Sequence, residues 1–159
     1  MKTERRVVSV VTLNEHGVLS RISGLFAGRG YNIESLTVAP VPGSEFSHVS
    51  IETQGNQRVL EQIVKQLHKL IPVLKVIEHE AENTIEKEMA MVKFPINESL
   101  SDIDALCRAY NGKIANVGAD FIVGMVTDEP RRVANFLKAV EKYRPTEVVK
   151  SGVVAMERE

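Results

Sequence analysis

The chain has 159 residues, of which 20 are lysine or arginine and 21 are aspartate or glutamate, so its formal net charge is −1. Proteins that bind nucleic acids usually carry a surplus of basic residues, and this balance therefore argues against a nucleic-acid partner. The apolar fraction of 43% is typical of a globular protein. The sequence has no apolar run long enough to span a membrane. A single cysteine, Cys107, cannot form an internal disulfide, so we expect a reducing, cytoplasmic setting.

The first half of the sequence alternates between strand and helix patterns. Residues 6–13 are rich in valine and predict a strand, and after the polar turn at residues 14–17 (NEHG) apolar side chains recur at helical spacing over residues 18–26. Gly28 ends that helix. Two more strands, a second helix and a fourth strand are predicted at residues 31–39, 46–53, 60–71 and 73–77. The resulting order of elements is βαββαβ.

The same order returns in the second half, after an acidic stretch at residues 79–84 that we interpret as an interdomain linker. Ser99 and Asp102 predict a capping box at the start of one helix, and Asp128 is expected to cap the next, which has Pro130 in its first turn. The elements of this half are predicted at residues 86–94, 100–110, 113–117, 121–127, 130–140 and 147–156.

These patterns predict an α+β protein with two ferredoxin-like βαββαβ domains in tandem, at residues 1–78 and 85–159. In this arrangement both helices of a domain cover one face of an antiparallel sheet. The other face is left open, which favours association with a second copy or with a different protein.

Motifs for catalysis and for metal binding are missing from the sequence. No histidine has another histidine or a cysteine three or four residues away, so no zinc pattern is present and we expect surface positions for all of them. These residues are His16, His48, His68 and His79. Cys107 lies on the apolar stripe of a predicted helix, which favours a buried small side chain over a nucleophile. The sequence therefore predicts no catalytic residue and no metal site.

The turn at residues 14–17 is the strongest candidate for a binding site. It leads into the N-terminus of a helix, where exposed backbone N–H groups attract a carboxylate. Gly17 has no side chain to block approach, and Asn14 can both donate and accept hydrogen bonds. Such a site suits the carboxylate and amine of a free amino acid. The alternative is that Asn14 only caps the helix and Gly17 only permits the turn.

Three stretches, spread over nearly the whole chain, resemble one known family. They are GLFAGRGYNIESLTVAP at residues 24–40, VLEQIVKQLHKL at 59–70 and EVVKSGVVAMER at 147–158. The chain is thereby similar to the small regulatory subunits of acetolactate synthase (acetohydroxyacid synthase), in which the N-terminal half is an ACT domain. The resemblance implies a subunit without an active site, which activates a large catalytic subunit and confers feedback inhibition by valine in branched-chain amino-acid biosynthesis.

The resemblance also implies partners and a site. The large subunit is expected to carry thiamine diphosphate, Mg²⁺ and FAD and to convert pyruvate to acetolactate, whereas this chain itself needs no cofactor. ACT domains of the family form homodimers, with valine between the first turn of one chain and the second strand of its neighbour. By position, the first turn supplies Asn14, Gly17 and Val18, with the role of His16 left open, and the neighbouring strand supplies Asn32 and Ile33.

Two other functions stay open from the residues alone. The chain could be a free-standing ACT-type sensor of amino acids that controls another enzyme or a transporter. It could also be a small enzyme that uses the acidic stretch near residue 80. Co-purification with a thiamine-dependent subunit, or turnover of pyruvate by the chain alone, separates these possibilities.

Overall fold

The computed structural model describes residues 4–159, and this part of the chain contains nine strands and four α-helices. Residues 1–3, which belong to the predicted first domain, lie outside the described residues. The chain divides into two compact units. The first unit consists of the described residues up to Ile85 together with Gly152–Glu159, and the second unit consists of Glu86–Ser151.

The first unit is built on a four-stranded antiparallel sheet with two helices on one face. Its strands are arranged in the order β2-β3-β1-β4, which is the order of a ferredoxin-like βαββαβ fold. The fold prediction is confirmed for this unit. In chain order the elements are β1 (Glu4–Leu13), α1 (Val18–Ala27), β2 (Asn32–Pro40), β3 (Phe46–Gly55), α2 (Gln57–Lys69) and β4 (Val73–Glu78).

Alternation along β1 determines the two faces of this sheet. Val8 and Val10 are completely buried and pack with Ile22 of α1 and Leu60 of α2 in one apolar cluster. Successive side chains of a strand point to opposite faces, so Val7 lies on the face away from the helices. The core of the first unit therefore lies between the sheet and its two helices.

The second unit repeats the fold with a different set of side chains. Its strands are arranged in the order β6-β7-β5-β8, so the prediction of a second βαββαβ domain is also confirmed. Cys107 is completely buried in its core beside Phe94, as its apolar position predicted, and burial raises the pKa of the thiol. The elements are β5 (Thr84–Pro95), α3 (Leu100–Ala109), β6 (Gly112–Val117), β7 (Phe121–Asp128), α4 (Pro130–Ala139) and β8 (Glu147–Lys150).

Of the predicted capping residues in the second unit, Ser99 caps its helix and Asp128 does not. Ser99 occupies the N-cap of α3, where its hydroxyl accepts a hydrogen bond from the backbone N–H of Asp102 at 3.3 Å. The prediction that Asp128 caps α4 is wrong, because Glu129 holds the N-cap position without a side-chain hydrogen bond. Asp128 is the last residue of β7. Its carboxylate accepts a hydrogen bond from the side-chain amide of Asn111 at 3.0 Å.

The C-terminal residues return to the first unit, which differs from the predicted domain at 85–159. The predicted strand at 147–156 is interrupted after Lys150, and a separate strand, β9, forms at Val154–Glu157. Val153 and Ala155 are buried in a small apolar cluster against Val7, on the sheet face away from the helices. Part of the face that was expected to be open is therefore covered by the chain itself.

A glycine allows this close approach. A Cβ atom at Gly152 would lie 2.4 Å from the hydroxyl of Thr37 and 3.0 Å from the backbone oxygen of Leu36, both in β2. The next residue, Val153, donates its backbone N–H to the hydroxyl of Ser35 at 3.4 Å. The C-terminal segment is thus held against β2 at a distance that only glycine permits.

The predicted linker is ordered structure that packs with the first unit. His79 is buried and its Nε2 lies 2.6 Å from the hydroxyl of Ser9 in β1, so the surface position expected for this histidine is wrong. Residues Ala81–Asn83 form a short 3₁₀ turn, and the hydroxyl of Thr84 donates to the carbonyl of Glu80. His48 is also partly buried, and desolvation lowers its pKa.

Candidate functional site

The N-terminus of α1 begins at a glycine in a left-handed conformation. Gly17 occupies the N-cap with φ 80° and ψ −8°, a region that residues with a Cβ adopt only at a cost. A Cβ at this position would meet nothing within 4 Å, so the backbone conformation, and not lack of space, explains the glycine. Because the N-cap residue has no side chain, it cannot accept a hydrogen bond from the N–H groups of the first helical turn.

Asn14 does not cap this helix. The N-cap belongs to Gly17, three residues further along the chain, and the backbone N–H of Asn14 donates to the carbonyl of Glu45 at 3.0 Å. The side chain of Asn14 is exposed, as is that of His16. The simpler alternative for this turn, in which Asn14 serves only as a helix cap, is therefore wrong. Gly17 permits the turn, and the absence of a side chain also leaves room for a ligand, so the structure is compatible with both roles.

A small cavity of about 50 Å³ lies beside this turn and has a mixed lining. It is bordered by Asn14 on its polar side and by apolar side chains of α1 and β2, which are Val18, Leu19, Ile22 and Val38. One water molecule needs about 10–15 Å³ of such space, so the cavity has room for roughly four waters and for only part of an amino acid. The cavity of a single chain is therefore too small to enclose a whole amino acid.

The other predicted site residues lie at the opposite end of the same sheet. In the register of β2 with β3, Pro40 pairs with Ser47 at the end near the turn, whereas Asn32 pairs with Gln54. At about 3.3 Å for each residue, the two ends are roughly 23 Å apart. Asn14, Gly17 and Val18 are thus neighbours, but Asn32 and Ile33 cannot join them within one chain.

Asn32 and Ile33 open β2 beside a second and larger cavity. The carbonyl of Asn32 accepts a hydrogen bond from the hydroxyl of Thr53 at 2.6 Å, and Ile33 packs against the core of the first unit. The amide Nδ2 of Asn32 donates to Glu34 at 2.8 Å. Both Asn32 and Glu34 line a surface cavity of about 370 Å³. Sequence reasoning missed Glu34, although its position two residues after Asn32 on a predicted strand could have suggested it.

The described residues show neither a metal site nor a helix that could span a membrane. Among residues 4–159, no group of three or more histidine, cysteine, aspartate or glutamate side chains is arranged to hold a metal ion. In the same range, no helix is long and apolar enough to cross a bilayer.

Two protein-family models together match nearly the whole chain. Residues 8–75 match the model described as AHAS small subunit-like ACT domain, and residues 87–159 match the model described as small subunit of acetolactate synthase. The chain belongs to the acetolactate synthase small-subunit family. The family resemblance recognised from the sequence is thereby confirmed.

Individual members of this family align over their full length. The acetolactate synthase isozyme 3 small subunit of Escherichia coli is 38% identical over 156 residues, which cover 97% of this chain and 96% of the relative. The small subunit of Buchnera aphidicola from Schizaphis graminum is also 38% identical and is covered to 99%. The crystal structure of the small subunit from Thermotoga maritima has a TM-score of 0.88 at 32% identity and covers 98% of both chains.

Proposed function

We propose that this chain is the regulatory subunit of an acetolactate synthase and that it binds a branched-chain amino acid, valine first, between two copies of its first unit. The observation that carries the proposal is its relationship to acetolactate synthase small subunits over both units. A catalytic large subunit is then the partner in the cell. Thiamine diphosphate, Mg²⁺ and FAD belong to that partner, and the cytoplasm is the expected location.

Pairing of two chains along β2 explains how the separated site residues act together. β2 lies at an edge of its sheet, and edge strands carry backbone groups available to a second strand. Two β2 strands related by a twofold axis run antiparallel, so the Asn32 end of one chain lies next to the Gly17 end of the other. Leu19 and Val38, which are 42% and 43% exposed, would then be covered in the homodimer.

The chemistry of this site suits a small zwitterion with a branched apolar side chain. The carboxylate would accept hydrogen bonds from the N–H groups of the first turn of α1, where the helix dipole is favourable. The isopropyl group would pack against Val18, Leu19 and Val38. A feedback ligand requires a binding free energy of only about −4 to −6 kcal/mol, corresponding to dissociation constants from millimolar to tens of micromolar.

Inhibition requires that valine bind differently to the active and the inhibited assembly. The usual coupling between two sites is about 1–3 kcal/mol, which changes an affinity by roughly 5- to 150-fold. A ligand held between two chains can supply this difference, because its affinity depends on how the chains are placed.

Reconstitution with the cognate large subunit tests the proposal. The chain should raise the formation of acetolactate, and valine should reverse part of this effect more strongly than leucine or isoleucine. Asn14→Ala should keep the activation and lose the response to valine. Asn97→Ala is the matched control, because Asn97 lies in the corresponding turn of the second unit.

Two results would contradict different parts of the proposal. A large subunit that is neither bound nor activated by this chain would refute the regulatory role. Activation without any response to branched-chain amino acids would instead leave the partner in place and refute the effector site.

A further inference from the structure

We infer that Glu34 is a positioning residue of the effector site: its carboxylate holds the amide of Asn32 so that Oδ1 of Asn32 faces the ammonium group of the bound amino acid. This inference rests on the proposed function. It assigns a role to a residue that lies outside the predicted set at the start of β2.

The hydrogen bond between these side chains fixes the orientation of the amide. Nδ2 of Asn32 donates to Oε1 of Glu34 at 2.8 Å. An ionised carboxylate can only accept hydrogen bonds, so the amide must turn its NH₂ group toward Glu34. The remaining polar atom of the amide, Oδ1, then points away from Glu34 as an acceptor. An ammonium group donates three hydrogen bonds and is the complementary partner for such an oxygen.

The contact lies at an irregularity of β2. The register of β2 with β3 shifts between Ile33 and Ser35, so Glu34 has no paired residue on β3. A β-bulge of this kind bends the strand locally and redirects side chains. The neighbouring side chain of Asn32 is exposed, and the pair borders the cavity of about 370 Å³. The amide oxygen is therefore accessible to a ligand.

The second unit shows that the bulge alone does not create the pair. β6 has the same shift in register, between Ile114 and Asn116. Ala115 stands there in the place of Glu34, and Lys113 stands in the place of Asn32. The bulge is thus a feature shared by both units, whereas the amide and carboxylate occur together only in the unit that would bind the amino acid.

Thermal unfolding of the full chain with increasing valine tests the role of Glu34. In Glu34→Ala the amide of Asn32 is released, and we expect valine to bind about tenfold more weakly. In Glu34→Gln the new Oε1 can still accept from Asn32, so the affinity should stay within about threefold of the parent. Glu61→Ala, at an exposed position of α2, is the matched control for loss of a surface glutamate and should bind valine like the parent.

A ligand without the ammonium group separates positioning from a general structural effect. For 2-oxoisovalerate, which carries a carbonyl oxygen in place of the amine and has no hydrogen to donate to Oδ1 of Asn32, Glu34→Ala should change the affinity by less than about threefold. A variant that merely distorts β2 would weaken both ligands equally and would overturn the inference.

The remaining outcomes also decide the question. If Glu34→Gln binds as weakly as Glu34→Ala, Glu34 acts through its charge and the positioning role is wrong. If both variants bind valine like the parent, Glu34 has no role in the site. If the parent protein does not respond to valine, leucine or isoleucine, the effector site of the proposed function fails before any variant is compared.

Discussion

The turns that lead into the first helix of each unit differ at one decisive position. In the second unit Ser99 caps α3 with its hydroxyl, so one N–H group of the first turn is satisfied within the chain. In the first unit Gly17 occupies the same place in α1 and brings no side chain. A single residue therefore decides whether the N–H groups at the N-terminus of a helix are satisfied within the chain or left available to an anion.

The corners at the other end of the two sheets differ as well. In the second unit this corner is filled by the carboxylate of Asp128, which accepts hydrogen bonds from Asn111, from Arg132 and from the backbone N–H of Glu129. In the first unit the corresponding corner holds the cavity of about 370 Å³ bordered by Asn32. The second unit therefore fills this corner with a buried carboxylate, whereas the first unit has a cavity there.

The sheet faces away from the helices form a third contrast. In the first unit Val153 and Ala155 cover Val7. In the second unit the corresponding face carries Met89 and Met91, which are 37% and 41% exposed. The two units therefore differ in the apolar side chains that remain exposed on this face.

The largest effect is expected from Gly17→Asp, which gives the first unit the acidic cap that it lacks. The new carboxylate would occupy the place of the ligand's carboxylate, so stabilisation by valine should disappear. At a valine concentration of 100 times its dissociation constant, the parent should gain about 2.7 kcal/mol. Thermal unfolding with and without valine measures the loss. Gly17→Ala carries the same backbone strain without the charge, and it should keep part of the response.

Gly152→Ala should detach the C-terminal segment from the first unit. The added Cβ would lie 3.0 Å from the backbone oxygen of Leu36, so the chain must shift. We expect a loss of about 1–3 kcal/mol in the free energy of unfolding and faster hydrogen exchange at the amide of Val153. Gly118→Ala is the control, because its Cβ would have only ordinary contacts beyond 3.5 Å, the nearest at 3.6 Å. Equal behaviour of the two variants would contradict the packing of the C-terminal segment described above.

Asp128→Asn should destabilise the second unit in a manner that depends on pH. Burial opposes ionisation of Asp128, but hydrogen bonds from Arg132, Glu129 and Asn111 and the charge of Arg132 outweigh it and hold the pKa of this carboxyl below its usual value. The contribution is therefore present above the unfolded pKa of about 3.9 and is lost as the pH falls through the folded pKa. Near neutral pH we expect a cost of about 1–2 kcal/mol.

Urea unfolding at pH 7 and at pH 3 checks this expectation. The difference between parent and Asp128→Asn should be smaller at pH 3, because pH 3 lies below the unfolded pKa and proton uptake by the unfolded parent then lowers its free energy of unfolding. Asp104→Asn removes a surface ion pair with Arg108 and should cost much less at either pH. A constant difference for Asp128→Asn at both pH values would show that its charge is not what stabilises the corner.

The smallest effect is expected from Ser99→Ala, which removes the cap that distinguishes the second unit. Loss of such a cap costs about 1 kcal/mol. The response to valine should not change, because the proposed site lies in the first unit. Denaturant unfolding and a valine titration on the same variant measure both quantities. A changed valine affinity would contradict the assignment of binding to the turn at Gly17.

Much of the fold could be predicted from the sequence because its signals are local. The valine-rich run of β1, the alternation in β3, the helical spacing in α1 and α2 and the breaks at Gly28 and Pro72 specify the βαββαβ order of the first unit, and similar patterns specify the second. The turn at residues 14–17 was found in the same way, since a glycine and an asparagine ahead of an amphipathic helix are visible in the sequence. The family resemblance added the pairing of this turn with Asn32 and Ile33, which stays a prediction.

Contacts between residues far apart in the sequence determined features that local patterns could not predict. The acidic composition near His79 suggested a solvated linker, but contact with Ser9, 70 residues away in the chain, buries that histidine. Asp128 has the residue type and the position expected of a helix cap, but its carboxylate accepts hydrogen bonds from Arg132 and Asn111 instead. The return of Val153 to the first sheet depends on a complementary surface on β1 and β2. Such long-range contacts are set by packing and by competition for hydrogen bonds, and these exist only once the strands are in register.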